Sequence, residues 1–338
     1  MKNNKQQQNL CLNWTCQLMA SADYSKWHRP VLLAETLEAL ALKPDGLYVD
    51  VTSGGGGHSA AILSQLSAEG RLIALDRDEN AREETGRRLE AMNTVGSYSI
   101  RSSKFSSLSQ NLSQEEKGHI DGLLADLGTS SHQLDEGERG FSYHQDGPLD
   151  MRMDQSEGMT AAELLADINE DDLVNILRDY GEEIHARSIA RAIVEERKHT
   201  ALETTGQLAE IIRQAVPPSA RRKKHPARRS FQAIRIAVNR EIEEIESLLK
   251  QLPEIMSSGG RVVIISFHSL EDRLVKQTFL NWEDPCECPR DFPVCICGKK
   301  PLGKRPQRKV VEASAAEIAE NKRSRSAKLR VFEFGGVA

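Results

Sequence analysis

No apolar run in this chain reaches the roughly 18 residues that would cross a membrane. With 28% charged residues and a mean hydropathy of -0.49, the composition is that of a soluble globular protein. A secretory signal is not expected either. The first 18 residues are rich in Gln and Asn, and their apolar positions are broken by Asn13, Thr15 and Gln17. Residues 1–24 read as a disordered tail, with Met19 as a second candidate start. Cysteine is scarce: six in 338 residues, of which Cys11 and Cys16 fall in the tail. The other four, Cys286, Cys288, Cys295 and Cys297, form Cys-x-Cys-x6-Cys-x-Cys. Without an export signal, disulfides are not expected. Four thiolates among Pro285, Pro289 and Pro293 could hold a tetrahedral zinc, although the spacing is tighter than usual, and free or redox-labile thiols are the competing reading.

Positive charge is also lacking overall, since the net charge is -5. That alone gives no reason to expect nucleic acid. The distribution does. Residues 135–183 hold fifteen acids against three bases, whereas 217–230 hold six bases and no acid. Residues 299–310 add six more bases and 322–330 five. Such clusters are either solvated loops or an electrostatic footprint for phosphates.

The chain is organised around Leu47-Tyr48-Val49-Asp50-Val51-Thr52-Ser53-Gly54-Gly55-Gly56-Gly57-His58-Ser59, which reads as strand, glycine turn and helix. A second strand, Arg71 to Asp76, also ends in an acid, which can accept the two hydroxyls of a ribose. The loop lacks the Lys-Ser/Thr of a P-loop, and it lacks the third glycine that seats a dinucleotide pyrophosphate. S-adenosylmethionine (SAM) has no phosphate and suits Asp50, the glycine turn and Asp76 better. A turn without a ligand is the plain alternative. Phe105 follows a weak third strand, either stacked on an adenine or packed in the core. A fourth strand, Ile120 to Asp126, would bring Asp126 beside the reactive end of the cofactor.

Helical patterns begin near Thr160, where Thr160 and Glu163 make a capping box, and Asn169 opens another helix. After the basic loop, Phe231 starts an amphipathic helix running to about Gln251. Gly259 to Ser266 reads as a buried strand, followed by a polar turn through His268, and Lys328 to Phe334 alternates as a last strand. The expected fold is α/β, a doubly wound and mostly parallel sheet with an inserted small helical domain. The sheet domain takes 25–134 and 236–338, and the insertion takes 135–235.

Several stretches resemble the RsmH (MraW) family of bacterial SAM-dependent 16S ribosomal RNA (cytosine-N4)-methyltransferases. They include His28-Arg29-Pro30, Gly56-Gly57-His58-Ser59, Asp76-Arg77-Asp78, Asp126-Leu127-Gly128, Gln133-Leu134-Asp135, and Glu138-Arg139-Gly140-Phe141-Ser142. Further along come Leu149-Asp150-Met151-Arg152-Met153, Tyr180-Gly181-Glu182-Glu183, His225-Pro226-Ala227, Phe231-Gln232-Ala233-Ile234-Arg235, and Ser266-Phe267-His268-Ser269. The resemblance runs from about His28 to Phe334. It implies a SAM-dependent methyltransferase fold and cofactor contacts at Gly56, Gly57, His58, Asp76, Phe105, Asp126 and Gln133. It implies as substrate one cytidine in the decoding region of 16S ribosomal RNA, methylated at N4 on the 30S subunit. The glycine turn departs from the family's usual pattern over Val51 to Gly55, and the cysteine cluster is not shared by every member.

An exocyclic cytosine amine is a poor nucleophile, because its lone pair is delocalised into the ring. The enzyme must accept its N–H groups and take up charge as it develops. Asp126 is the candidate for that role, or else it only binds the cofactor. His268 is a second catalytic candidate, against a satisfied core histidine. Arg139, Arg152, Arg228 and Arg229 are candidates for RNA backbone contact. A SAM-binding regulator without turnover and a small-molecule methyltransferase are the rivals. Expected partners are the ribosomal RNA or subunit and a second copy of the chain, with no membrane, in the cytoplasm.

Overall fold

The structure, a computed structural model, describes residues 30–222, 225–289, 294 and 296–335. The tail, Met19, Cys11, Cys16 and Cys295 therefore lie outside the described residues. The chain divides into two compact units. One runs up to Gly128 and resumes at Glu244, and the other is Thr129–Glu243.

The first unit opens with α1 (Leu33–Leu40), then β1 (Leu47–Asp50), α2 (Gly57–Leu63), β2 (Arg71–Asp76), α3 (Glu79–Glu90), β3 (Ser97–Ser102) and β4 (Ile120–Asp126). Helix α1 begins three residues after Pro30. Leu32 takes a left-handed conformation, and its N–H is held by Glu317 at 2.8 Å. The strands β1 to β4 pair in parallel with β1 central between β2 and β4. Parallel strands buried on both faces need apolar side chains at successive positions. Tyr48 and Leu72 point to one face, while Val49 and Ile73 point to the other. Gly122 is required inside β4, because the Tyr48 ring lies 2.6 Å from where its Cβ would stand.

The second unit contains α4 (Ser131–Asp135), α5 (Ala161–Asp167), α6 (Glu170–Asp179), α7 (Ala186–Glu196), α8 (Thr205–Ala215) and α9 (Ala227–Asn239). Its helix starts are written in the sequence. Capping boxes Thr160/Glu163 and Thr204/Gln207 satisfy the first N–H groups of α5 and α8, and Asn169 caps α6. Its core joins Leu165, Leu173, Leu177, Ile189, Leu208 and Phe231. The unit extends six residues before and eight beyond the expected 135–235. Ser130 already caps the turn of Gln133, and Arg235 is tied to Glu241 by two bonds of 2.7 and 2.8 Å.

The single helix expected from Phe231 to Gln251 is two helices. Arg240 is left-handed (φ 51°), and α10 (Glu241–Ile255) begins after it. Asn239 fixes the break, since its side chain accepts from Met153 N and donates to the carbonyls of Met151 and Arg235.

Back in the first unit, β5 (Met256–Ser266) joins β4 in parallel, followed by α11 (Ser269–Glu283), β6 (Gly303–Lys304), β7 (Val311–Glu312), α12 (Ala315–Glu320) and β8 (Lys328–Phe334). Strand β8 is antiparallel to β5, giving the order β3-β2-β1-β4-β5-β8-β6, with β7 also on β8. The chain leaves β1 toward β2 and β3 on one side, and returns as β4 and β5 on the other. The carboxyl ends of β1 and β4 therefore flank the point where strand order reverses, the general ligand position of open α/β sheets. Among the described residues no helix is long and apolar enough to cross a membrane.

Candidate active site

At the end of β1 the backbone turns through Ser53 and the glycines. Gly54 and Gly56 have positive φ, and Gly56 N–H closes the turn on Ser53 O at 2.7 Å. A Cβ at Gly56 would stand 3.1 Å from Thr85 Cα, and one at Gly57 would stand 2.4 Å from Pro30 Cγ. The protein's own packing thus demands glycine at both positions. At Gly54 an added Cβ would meet only Thr52 O among the described residues, in ordinary contact at 3.8 Å.

The strand-end acids differ. Asp50 is fully buried and is occupied by Ser59 Oγ (2.6 Å), Thr52 N (3.1 Å) and Thr52 Oγ1 (3.4 Å). It is a fixture of the turn. This corrects the expectation that Asp50 faces the cofactor. Among the described residues Asp76 accepts from the backbone N–H groups of Gly54 and Asp78, each at 2.9 Å, and is partly exposed. Burial pushes the Asp76 carboxyl up to about 6, against the lowering effect of those two N–H groups. Asp126 takes its position from Thr52, whose Oγ1 accepts the Asp126 N–H at 2.6 Å. Its Oδ2 lies 3.6 Å from His58 Nε2, and its Oδ1 is buried without a hydrogen-bond partner among the described residues. His58 is itself buried, with neither ring nitrogen hydrogen-bonded among the described residues. Native proteins rarely leave such groups unmatched, so polar atoms from a bound molecule are expected here.

Phe105 and Lys104 border a shallow depression with Val51, Leu75, Ser103 and Leu108, too tight as it stands to hold a water molecule. Phe105 is partly buried and also packs against the core. His268 follows β5 and serves α11. Its Nδ1 accepts the Glu271 N–H at 3.4 Å, and its Nε2 lies 3.1 Å from Glu271 Oε1. Glu271 is fully buried and takes the N–H of Phe267 at 2.8 Å. These contacts give His268 a capping role.

In the inserted unit, Gln133 is buried and accepts the Ser130 N–H at 3.1 Å. Arg139 corrects an expectation. It is 4% exposed, with its guanidinium donating to the carbonyls of Arg152 and Met153, so RNA phosphate cannot reach it. Arg152 is gripped by Asp150 through two bonds of 2.7 and 3.0 Å. Arg229 is exposed and donates to Glu182 O at 3.0 Å, and Arg228 is exposed. Beside them Tyr143 stacks on His225, with centroids 4.7 Å apart, and His144 lies 4.4 Å from Tyr143. Sequence reading missed this ring cluster, since His225 lies 81 residues or more beyond Tyr143 and His144. It also missed Thr52 and Ser59. For Thr52 a signal existed, because Asp-x-Thr is a spacing at which a carboxylate bonds its own backbone two residues on. The sulfurs of Cys286, Cys288 and Cys297 lie within 4.8 Å of one another, while Cys295 is outside the described residues.

A parallel sheet with an antiparallel β8, a glycine turn after β1, and acids ending β1, β2 and β4 define a SAM-dependent methyltransferase. The chain belongs to the MraW methylase family, whose model matches residues 25–335. A ribosomal RNA small subunit methyltransferase H of Symbiobacterium thermophilum is 53% identical over 304 residues, covering 90% of this chain and 95% of its own. Its counterpart from Clostridium botulinum (strain Kyoto / Type A2) is 47% identical over 304 residues, covering 90% and 97%. That of Heliobacterium modesticaldum is 48% identical over 308 residues, covering 90% and 98%.

Proposed function

We propose that this chain methylates the exocyclic N4 of a cytidine in the decoding region of 16S ribosomal RNA, on the small subunit in the cytoplasm. Family membership over nearly the whole chain carries this reading, together with relatives of matching length named ribosomal RNA small subunit methyltransferase H. SAM supplies an electrophilic methyl carbon on a sulfonium. Asp76 holds the ribose hydroxyls, and Phe105 covers the adenine. Asp126 accepts an N–H of the amine through Oδ1, which has no partner within the described residues. That contact localises the nitrogen lone pair and offsets its developing charge. His58, beside Oδ2, keeps the carboxylate turned toward the amine. His268 supports this edge from β5 by capping α11. The inserted unit meets RNA through Arg228, Arg229 and the Tyr143–His144–His225 rings, which can stack an unpaired base. Asp126→Asn is expected to keep SAM affinity within about threefold while turnover falls about 100-fold or more, the scale for removing an oriented acceptor. Loss of both would reduce Asp126 to a cofactor ligand.

The deciding experiment transfers labelled methyl from SAM to small subunits isolated from cells lacking this gene, then digests them to nucleosides for mass analysis. N4-methylcytidine is the expected product. Label on another nucleoside would sink the N4 assignment and keep the enzyme. No label despite SAM binding would favour a regulator.

A further inference from the structure

The loop from Asp284 to Leu302 has no part in the methyl-transfer site, and it has little apolar material of its own. Val294 and Ile296 are 69% and 74% exposed. Its ends are nevertheless tied. Leu302 N–H bonds Trp282 O at 2.8 Å, and Arg305 bonds Glu283 through its N–H at 3.0 Å and its Nε at 2.9 Å. At the tip, Cys286, Cys288 and Cys297 bring three sulfurs within 4.8 Å of one another.

We propose that these three cysteines bind a zinc ion as thiolates, and that the metal in place of an apolar core holds the loop together. The Cys286 and Cys297 sulfurs are 4.0 Å apart. That is about twice a disulfide bond, which is close to 2.05 Å. It is near the roughly 3.8 Å that separates two thiolates on a tetrahedral zinc with bonds of about 2.3 Å. The Ile296 N–H points at Cys288 Sγ from 3.3 Å, a bond that stabilises a thiolate and fixes its direction. Glu287, between the first two cysteines, pairs with Lys299, two residues after Cys297, and so ties the two arms across the site. Thiolate donors select a soft ion such as zinc over magnesium or calcium. As each Zn–S bond forms, the thiol proton passes to water, and no electrons are transferred. Three thiolates leave the fourth position to a donor outside this trio.

The test is metal analysis of the full chain purified without added metal or chelator. About one zinc per chain is expected. Cys286→Ser and Cys297→Ser should each lose it, and Cys11→Ser, Cys16→Ser and Asp76→Asn should retain it. The last variant separates the metal from the SAM reading. Thiol titration of the unmutated native protein does not depend on any variant folding. The loop thiols should stay unreactive until a strong chelator is added, then react as zinc appears in solution. Immediate reaction of all cysteines with no stoichiometric metal overturns the proposal. So does iron in place of zinc, or a disulfide linking the loop cysteines.

Discussion

The ends of β1 and β2 carry the same residue, an aspartate at the last position of a buried parallel strand. Both carboxyls are pushed up by burial above the ordinary range. Their surroundings separate them. Asp50 is enclosed, and a serine hydroxyl and a threonine close on it. Asp76 is held by two backbone N–H groups on one side and opens to the solvent on the other. A motif thus marks where acids stand, and the neighbouring side chains decide which acid is available to a ligand. Asp50 spends its charge on the turn. Asp76 keeps one side of its carboxylate toward solvent.

The largest effect should come from breaking the enclosed member. Asp50→Ala strands Ser59 Oγ and the Thr52 N–H in a dry turn, a loss of about 3 kcal/mol or more for charge-assisted bonds. Thermal unfolding should show a clear fall in Tm. A variant with unchanged Tm and lost SAM binding would overturn the division between the two acids.

Asp76→Asn should do the reverse. SAM affinity by calorimetry should fall about 10- to 100-fold, the worth of hydrogen bonds to a charged acceptor. Stability should not fall at neutral pH. Burial holds the carboxyl at about 6 in the fold against an ordinary 3.8, so folding pays a penalty that develops as pH rises from about 4 to 6 and persists above. The amide removes that penalty. A large drop in Tm would show that Asp76, too, is a fixture of the turn.

A gentler probe leaves the side chain in place. Ribose hydroxyls donate to the ionised carboxylate, so SAM affinity should be flat above about pH 6 and weaken about tenfold per unit below it. Asp78 raises the Asp76 carboxyl and Arg77 lowers it, both as minor influences beside burial. Calorimetry between pH 5 and 8 reads the limb, and Asp76→Asn should abolish it.

Much of this was legible in the chain. The acids at 50, 76 and 126 announce the sheet edge, and Thr160 and Asn169 announce helix starts. What was not legible depends on side chains distant in sequence. The break at Arg240 needs Asn239 to reach Met151 and Met153, some 86 residues back. The burial of Arg139 needs the carbonyls of Arg152 and Met153. An arginine in an acidic, turn-rich stretch reads as a surface cation until its partners are known.

The smallest effect tests the same lesson on the arginines. Arg139 is enclosed, as Asp50 is, and Arg228 is exposed, as Asp76 partly is. If exposure marks the group that meets a ligand, Arg228→Ala should weaken binding to small subunits a few-fold with Tm unchanged. The slope of log affinity against log salt should shrink by about 0.7 to 0.9, the counterions released by one phosphate contact. Adding Arg229→Ala should shrink it by a similar step. Arg139→Ala should lower Tm and leave the slope of the folded fraction untouched, because its guanidinium faces two carbonyls and no solvent. If Arg228→Ala leaves both affinity and slope unchanged, the basic stretch from 217 to 230 is a solvated loop, and RNA is met elsewhere on the chain.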